Sequence, residues 1–181
     1  MMKRLLVSVI LVGALATPAL AAEQPFQQRT WELTLESDFD NGFVPRIGYY
    51  VMDNLAVSAL AMFDKSELKI SGVKDTTTEQ RLGLGLDFNI PTGTNVVPFV
   101  GVAVEYINLE EDDGVTPVIK VSGPAVDISG GVKILVGARG SVNLGLNYTT
   151  ATLDSTVGGV SGPDTDVNDF SGTVGYSLYF R

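Results

Sequence analysis

The feature that most narrows what this chain can fold into is a period-two alternation of apolar and polar residues, repeated in eight segments of about ten residues. A pleated strand sends successive side chains to opposite faces, so each segment reads as a strand with one apolar and one polar side. Arg29 to Asp38 sets Trp31, Leu33 and Leu35 against Glu32, Thr34 and Glu36, and Phe43 to Val51 sets Ile47, Tyr49 and Val51 against Arg46, Gly48 and Tyr50. In Leu55 to Asp64, the residues Leu55, Val57, Ala59, Ala61 and Phe63 share a face whose opposite is only weakly polar. Thr77 to Asn89 opposes Leu82, Leu84, Leu86 and Phe88 to Arg81, Gly83, Gly85 and Asp87. Val96 to Tyr106 opposes Val100, Val102, Val104 and Tyr106 to Gly101, Ala103 and Glu105. Pro124 to Leu135, Ser141 to Ala151 and Asp169 to Phe180 repeat the pattern, with Asp127 and Lys133 on the polar face of the first of these. Helical periodicity is absent, and the longest apolar stretch, Phe88 to Val104, is broken by Pro91, Gly93, Pro98 and Gly101.

The connections carry a second pattern. Met52-Asp53-Asn54, Ile90 to Asn95 and Val136 to Gly140 are short, whereas Lys65 to Thr76, Ile107 to Gly123 and Thr152 to Asn168 are long, polar and acidic. Only Phe39 to Gly42 is short where a long one is expected. An up-and-down barrel of eight strands has three connections at the rim that holds both termini and four at the other. The three short connections fall at the terminal rim, the layout of a barrel with short inner turns and long outer loops.

Composition limits the chemistry and raises a question. The 181 residues contain no Cys and no His, which removes disulfides, thiolate and imidazole metal sites, and the commonest catalytic base. With 12 Lys+Arg against 21 Asp+Glu, nucleic acid is not an expected partner. A positive mean hydropathy, +0.23, nevertheless accompanies the net charge of -9. Part of the hydropathy is a leader: Lys3 and Arg4 precede the apolar run Leu5 to Ala16, Thr17-Pro18 break it, and Ala19-Leu20-Ala21 supplies a cleavage site. The run is too short to cross a bilayer, which takes about 20 residues as a helix. Residues 1–21 are read as a cleaved signal peptide and 22–181 as one β-barrel, exported, with a net charge of -11 once Lys3 and Arg4 are gone (10 Lys+Arg against 21 acids).

The aromatic residues decide which way the apolar faces point. A soluble ligand-binding barrel turns them inward and a transmembrane barrel turns them outward. Trp31, Tyr49, Phe88 and Phe180 fall at strand ends on the short-turn rim, and Phe43, Phe63, Tyr106, Tyr148 and Phe170 at ends on the long-loop rim. Leu, Val, Ile and Ala fill the positions between. Two aromatic girdles around an aliphatic belt are what the two interfaces of a bilayer select. The expected fold is therefore an all-β, eight-stranded antiparallel up-and-down transmembrane barrel. Its interior then receives Glu32, Glu36, Asp64, Asp87, Glu105 and Asp127 with Arg46, Arg81 and Lys133. Because an unpaired buried charge costs several kcal/mol, depth along the strands pairs Lys133 with Glu32 and Asp87 near the inner rim. Arg46 and Arg81 are expected near Glu36, Glu105 and Asp127 in the outer half.

Two motifs carry a family resemblance. Ile47-Gly48-Tyr49-Tyr50-Val51-Met52-Asp53-Asn54-Leu55-Ala56-Val57 resembles the "GYFxxDNLAV" hairpin of the small Gram-negative outer-membrane barrels, the OmpA/OmpX/OmpW-like group. Gly175-Tyr176-Ser177-Leu178-Tyr179-Phe180 resembles the C-terminal signal that the barrel-assembly machinery reads, although Arg181 follows the aromatic on which the family usually ends. The resemblance implies residence in the outer membrane, contact with its lipid and lipopolysaccharide, and passage through the assembly machinery during biogenesis. Larger members add a peptidoglycan-binding domain, and anchoring by that route is not expected for a chain ending at Arg181.

The candidate chemistry is sparse. Glu110-Glu111-Asp112-Asp113-Gly114 and Asp164-x-Asp166-x-Asn168 offer carboxylates to a divalent cation, but Asp169 and Gly175 stand where a calcium loop needs Gly and Glu. No metal site is assigned, although ions shared loosely with lipopolysaccharide phosphates fit these loops. Gly83-x-Gly85 and Gly158-Gly159 are not followed by a helix that would hold a phosphate. Without His, the lipid-modifying barrel enzymes offer no parallel, and no cofactor is expected. The expectation is a monomeric, non-enzymatic barrel with a structural or surface-interaction role; the alternatives are a narrow channel for small or hydrophobic solutes and a loop-mediated adhesin. The folded barrel is expected to migrate differently from boiled protein in SDS, and a water-soluble monomer that needs no detergent would refute the membrane assignment.

Overall fold

A computed structural model describes residues 25–38, 43–70 and 73–181. The leader, Met1 to Ala21, and the connection from Phe39 to Gly42 lie outside the described residues. The described chain contains strands and no helix: β1 Trp31–Asp38, β2 Phe43–Met52, β3 Leu55–Ile70, β4 Val73–Asn89, β5 Val96–Asp112, β6 Ile119–Leu135, β7 Gly140–Val157, the two-residue β8 Val160–Ser161, and β9 Thr165–Phe180. Each long strand pairs antiparallel with its neighbours. The first and last strands meet from Trp31↔Phe180 to Asp38↔Thr173, closing a barrel of eight strands, with β8 as the tip of the β7–β9 hairpin.

Closure follows from the alternation. The inner ends of the strands lie where the apolar pattern stops: Leu55, Asn89, Val96, Leu135 and Phe180 each begin or end a strand. The faces also divide as parity requires. Leu33, Leu84, Val102, Ile128 and Leu146 are exposed on the outside, while Glu32, Asp87, Glu105 and Lys133 are buried inside.

The outer boundaries differ from the sequence expectation. The three long polar connections are mostly strand, so that β3 to β7 and β9 run for 16 to 18 residues. Above the apolar belt both faces meet water and the alternation fades, yet the β3–β4, β4–β5 and β5–β6 ladders continue, and the β6–β7 ladder resumes beyond a gap at Gly123 and Pro124. Cross-strand ion pairs support it, with Lys74 Nζ 2.8 Å from Glu67 and Lys120 Nζ 2.8 Å from Glu110. Gly158 and Gly159, both with positive φ, form the turn that joins β7 to β8.

One seam interrupts the wall. The β2–β3 ladder runs from Met52↔Leu55 only to Arg46↔Leu60. Beyond it, Phe43, Val44 and Pro45 pair with β1, and the outer part of β3 from Ala61 pairs with β4. Pro45 has no N–H to offer a further ladder bond.

The inner mouth is stoppered by the segment before β1. Phe26, 2 % exposed, packs edge-on against Tyr179 at a centroid distance of 5.5 Å and against Tyr50 at 5.9 Å. Its carbonyl accepts a 2.7 Å hydrogen bond from Asn54 N, and Gln28 N donates to Asp53 Oδ1 at 2.8 Å. Arg181 reaches back to the side chains of Gln27 and Thr30, fastening both ends of the barrel at this rim. With Ala56, Val97 and Leu135 these residues form the apolar core of the inner mouth.

Inward glycines make room for larger neighbours. Gly131 faces Gly145 across β6 and β7, and a Cβ at Gly131 would meet the Leu144 carbonyl and lie 2.7 Å from Gly145 Cα. Gly131→Ala is expected to destabilise the barrel by about 1–3 kcal/mol, the usual cost of overpacking. Gly130→Ala, whose Cβ would meet only the Phe99 carbonyl at 3.7 Å, should be nearly neutral. Urea titration of the lipid-embedded protein, followed by its SDS mobility, measures the difference.

Candidate functional site in the barrel lumen

The narrowness of an eight-stranded barrel forces inward side chains of facing strands into contact. Inward parity brings them together in three levels. At the lowest, Glu32 on β1 receives Lys133 Nζ from β6 at 2.7 and 3.0 Å, Tyr50 OH at 2.7 Å and Tyr179 OH at 3.2 Å. Tyr50 OH accepts in turn from Asn89 Nδ2 at 2.9 Å, and Tyr179 OH shares a 2.8 Å hydrogen bond with Ser141 Oγ. Asn143, Ser177 and Thr34 extend the network around the wall. Lys133 Nζ also lies 5.6 Å from the ring centres of Phe26 and Phe99. This buried charge is therefore paired, hydrogen-bonded and flanked by aromatic faces, the conditions under which an interior ion pair persists.

At the middle level, Arg46 bridges Asp87 at 3.3 Å and Glu36 at 3.5 Å, and Ser58 Oγ donates to Asp87 Oδ2 at 2.8 Å. The void left between these two levels is about 20 Å³, room for roughly one water molecule. At the upper level the lumen widens into a cup of about 270 Å³, lined in part by Arg46, Arg81, Glu105, Asp127 and Asp169. Arg81 Nε donates to Glu79 at 2.6 Å.

The sequence-assigned lumen residues divide accordingly. Glu32, Glu36, Arg46, Arg81, Asp87, Glu105, Asp127 and Lys133 all line the lower void or the cup. Asp64 does not: it keeps inward parity but is exposed on the outer extension of β3, above the enclosed lumen. The pairing of Lys133 with Asp87 is also corrected, because Asp87 faces Arg46 while Glu32 takes both near contacts of Lys133. Arg81 lies near Glu105 and Asp127 in the cup, as expected, but makes its close ion pair with Glu79, two residues away on its own strand. Glu79, Tyr50, Asn89, Ser141, Asn143, Ser177, Tyr179 and Phe26 were not singled out from the sequence. All but Phe26 lie on strands at inward parity, the signal that could have found them; Phe26 precedes the first strand, where parity gives no guide.

The girdle residues point outward. Trp31 stacks on Tyr49 at 4.8 Å and lies level with Phe180 at the inner rim, while Tyr148 lies opposite Phe170 at the outer one. Phe43, Phe63, Phe88 and Tyr106 are exposed on the same face, and Tyr49 is half-buried. The acidic loop residues mostly serve their hairpins. Asp113 accepts from Thr116 N at 2.7 Å and Val115 N at 2.9 Å, and these bonds hold its carboxyl below the usual carboxylate range. Asp166 accepts from Thr152 at 2.9 Å and Asn168 from Tyr148 at 3.0 Å. No group of three acidic side chains among the described residues has the spacing of a metal site.

Replacing Lys133 by Met should leave the Glu32 carboxylate buried without its cation, at a cost of about 3–5 kcal/mol. Adding Glu32→Met should recover much of that loss, since Tyr50 OH keeps its hydrogen bond from Asn89 and Tyr179 OH the one it shares with Ser141. Urea unfolding of the two single variants and the double variant in lipid vesicles tests the coupling; additive losses would show that the pair does not act as a unit.

The sequence matches no protein-family profile and no curated protein. Its shape matches solved structures. The N-terminal β-barrel domain of OprF from Pseudomonas aeruginosa aligns with a TM-score of 0.55 at 14% identity, over 84% of this chain and 98% of that one. Neisserial surface protein A aligns with a TM-score of 0.57 at 16% identity, over 83% and 94%. The outer membrane protein AlkL, determined in lipid bilayers, aligns with a TM-score of 0.59 at 17% identity, over 91% and 95%. With its aliphatic belt, two aromatic girdles and polar interior, the chain has the fold of the small eight-stranded outer-membrane barrels and an exterior suited to lipid.

Proposed function

We propose that this chain is a non-enzymatic, closed outer-membrane barrel that acts as a monomeric scaffold, holding three acidic hairpins above the surface for structural or surface-interaction roles. The observation that carries this reading is the sealed inner half of the lumen. The Glu32–Lys133 pair, Tyr50, Tyr179 and the Phe26 stopper leave a void of about 20 Å³ below a cup that opens outward. Solutes therefore meet a floor, while the long hairpins of β3–β4, β5–β6 and β7–β9 present acidic residues to the exterior. These carboxylates suit contact with divalent ions shared with lipopolysaccharide phosphates. A chain without His or Cys offers little to acid–base or nucleophilic catalysis in this interior.

A second reading, transfer of small or hydrophobic solutes, is favoured by the seam between β2 and β3. On the bilayer side of that seam lies an apolar groove lined by Pro45, Ile47, Ala61, Leu82 and Leu84, and it shares Arg46, Leu60 and Glu105 with the cup. A solute would then leave sideways, above the floor.

Planar-bilayer recording separates a closed scaffold from a through-channel. The scaffold predicts no steady steps at low voltage; reproducible steps that disappear in Arg81→Ala or Lys133→Ala would overturn it. Sideways transfer predicts that Ala61→Trp slows loading of an apolar dye into vesicles while the barrel stays folded, and equal rates would exclude it. Shortening the hairpins at 107–123 and 152–168 should leave folding intact and abolish surface binding if the hairpins carry it.

A further inference from the structure

The charge arrangement of the upper cup is not accounted for by a structural plug. Both guanidinium groups there already have carboxylate partners, Arg46 with Glu36 and Asp87 and Arg81 with Glu79, although the buried Nε of Arg46 makes no hydrogen bond. Glu105, only 6 % exposed and facing the cup, makes no hydrogen bond or close ion pair among the described residues, and Arg81 and Arg46 attract it only at longer range. Asp127 lies diagonally across from it in the β5–β6 register; Thr149 donates to Oδ2 at 3.2 Å, and the buried Oδ1 has no partner. Asp169 continues the same row, Asp127↔Thr149↔Asp169, across β6, β7 and β9. The floor of the cup thus keeps negative charge in excess of its cations, in a place where water is restricted and charge attraction is strengthened.

Two residues further out the lining changes character. Ala125↔Ala151↔Val167 form the next inward row beyond Asp127 and Asp169, with Glu105 at its β5 end, and Leu153 and Ile107 pack beside it as an apolar collar. An acidic floor below an apolar collar defines the chemistry of a ligand: a cationic head that descends and a short hydrocarbon body that stays at the collar. The volume of about 270 Å³ accommodates a small organic molecule. A metal ion suits this site less well, because no three of the acidic side chains come within ligating distance of a common point among the described residues.

We propose that the outward-facing cup is a binding site for a small organic ammonium ion, with Glu105 and Asp127 receiving the ammonium group and the collar at Leu153 and Ile107 taking its alkyl chain. The site lies above the Glu32–Lys133 floor and does not depend on solute passage through it.

The test uses the full barrel in zwitterionic nanodiscs, labelled at methyl groups and titrated with n-butylammonium. Saturable shifts of the Leu153 and Ile107 methyls are expected, with none from n-butanol or butyrate at the same concentration. The Glu105→Gln/Asp127→Asn double variant should weaken binding at least about tenfold, as expected on removing charge-assisted hydrogen bonds. Ala151→Phe, which keeps both carboxylates and fills the collar, should abolish binding; it decides the matter if the double variant fails to show the SDS mobility of a folded barrel. Absence of saturation, equal shifts from butanol or butyrate, the same saturation with Mg²⁺ alone, or unchanged affinity in the folded variants would overturn the proposal.

Discussion

In the apolar core of a bilayer, backbone N–H and C=O groups have no water to bond, and an unsatisfied one costs several kcal/mol. The ladder that joins β1 to β9 removes the last free edges within the belt and converts a sheet of strands into a ring. Much else follows from that closure. Eight strands enclose an interior so narrow that inward side chains touch across it, and the charges they carry have to meet. The Glu32–Lys133 pair and the Arg46 bridge between Glu36 and Asp87 are consequences of the ring as much as features of the sequence.

The two ends of the ring are built differently. At the inner end the turns are short, and Phe26, Tyr50 and Tyr179 supply aromatic volume that closes the mouth around a satisfied carboxylate. At the outer end the strands outrun the membrane, and β1 and β2 stop well short of their neighbours. The wall is lowest there, beside the seam where Pro45 ends the β2–β3 ladder. A sealed base under an open, acidic and partly apolar cup gives the molecule a polarity that a symmetric barrel would lack.

Much of this was legible in residue order. Parity along the strands placed Glu32, Glu36, Asp87, Glu105 and Asp127 inside, and the inner strand ends at Leu55, Asn89, Val96 and Leu135 follow from the turns beside them. The outer ends were less legible, because alternation reports the contrast between lipid and lumen and fades where both faces meet water. Asp64 shows the same limit: its parity is inward, but the enclosed lumen ends below it. The choice of partners was hidden for another reason. Lys133 reaches Glu32, 101 positions away, and Arg46 reaches Asp87, 41 positions away, because of register and stagger around the ring, which no local pattern encodes.

Taken alone, the sequence determined the fold class, the side of each strand that meets lipid and the direction of the short and long connections, since period two, aromatic placement and turn residues are local properties of the chain. It also resolves its own apparent contradiction: the hydropathy lies on one face of the strands and in the leader, and the negative charge in the hairpins and the lumen. Only the tertiary structure decided which charges neutralise each other, that Phe26 closes the base, and that Glu105 and Asp127 are left over in the cup. Those outcomes depend on the relative heights of strands brought together by ring closure, a long-range geometric quantity fixed by the whole set of ladders at once.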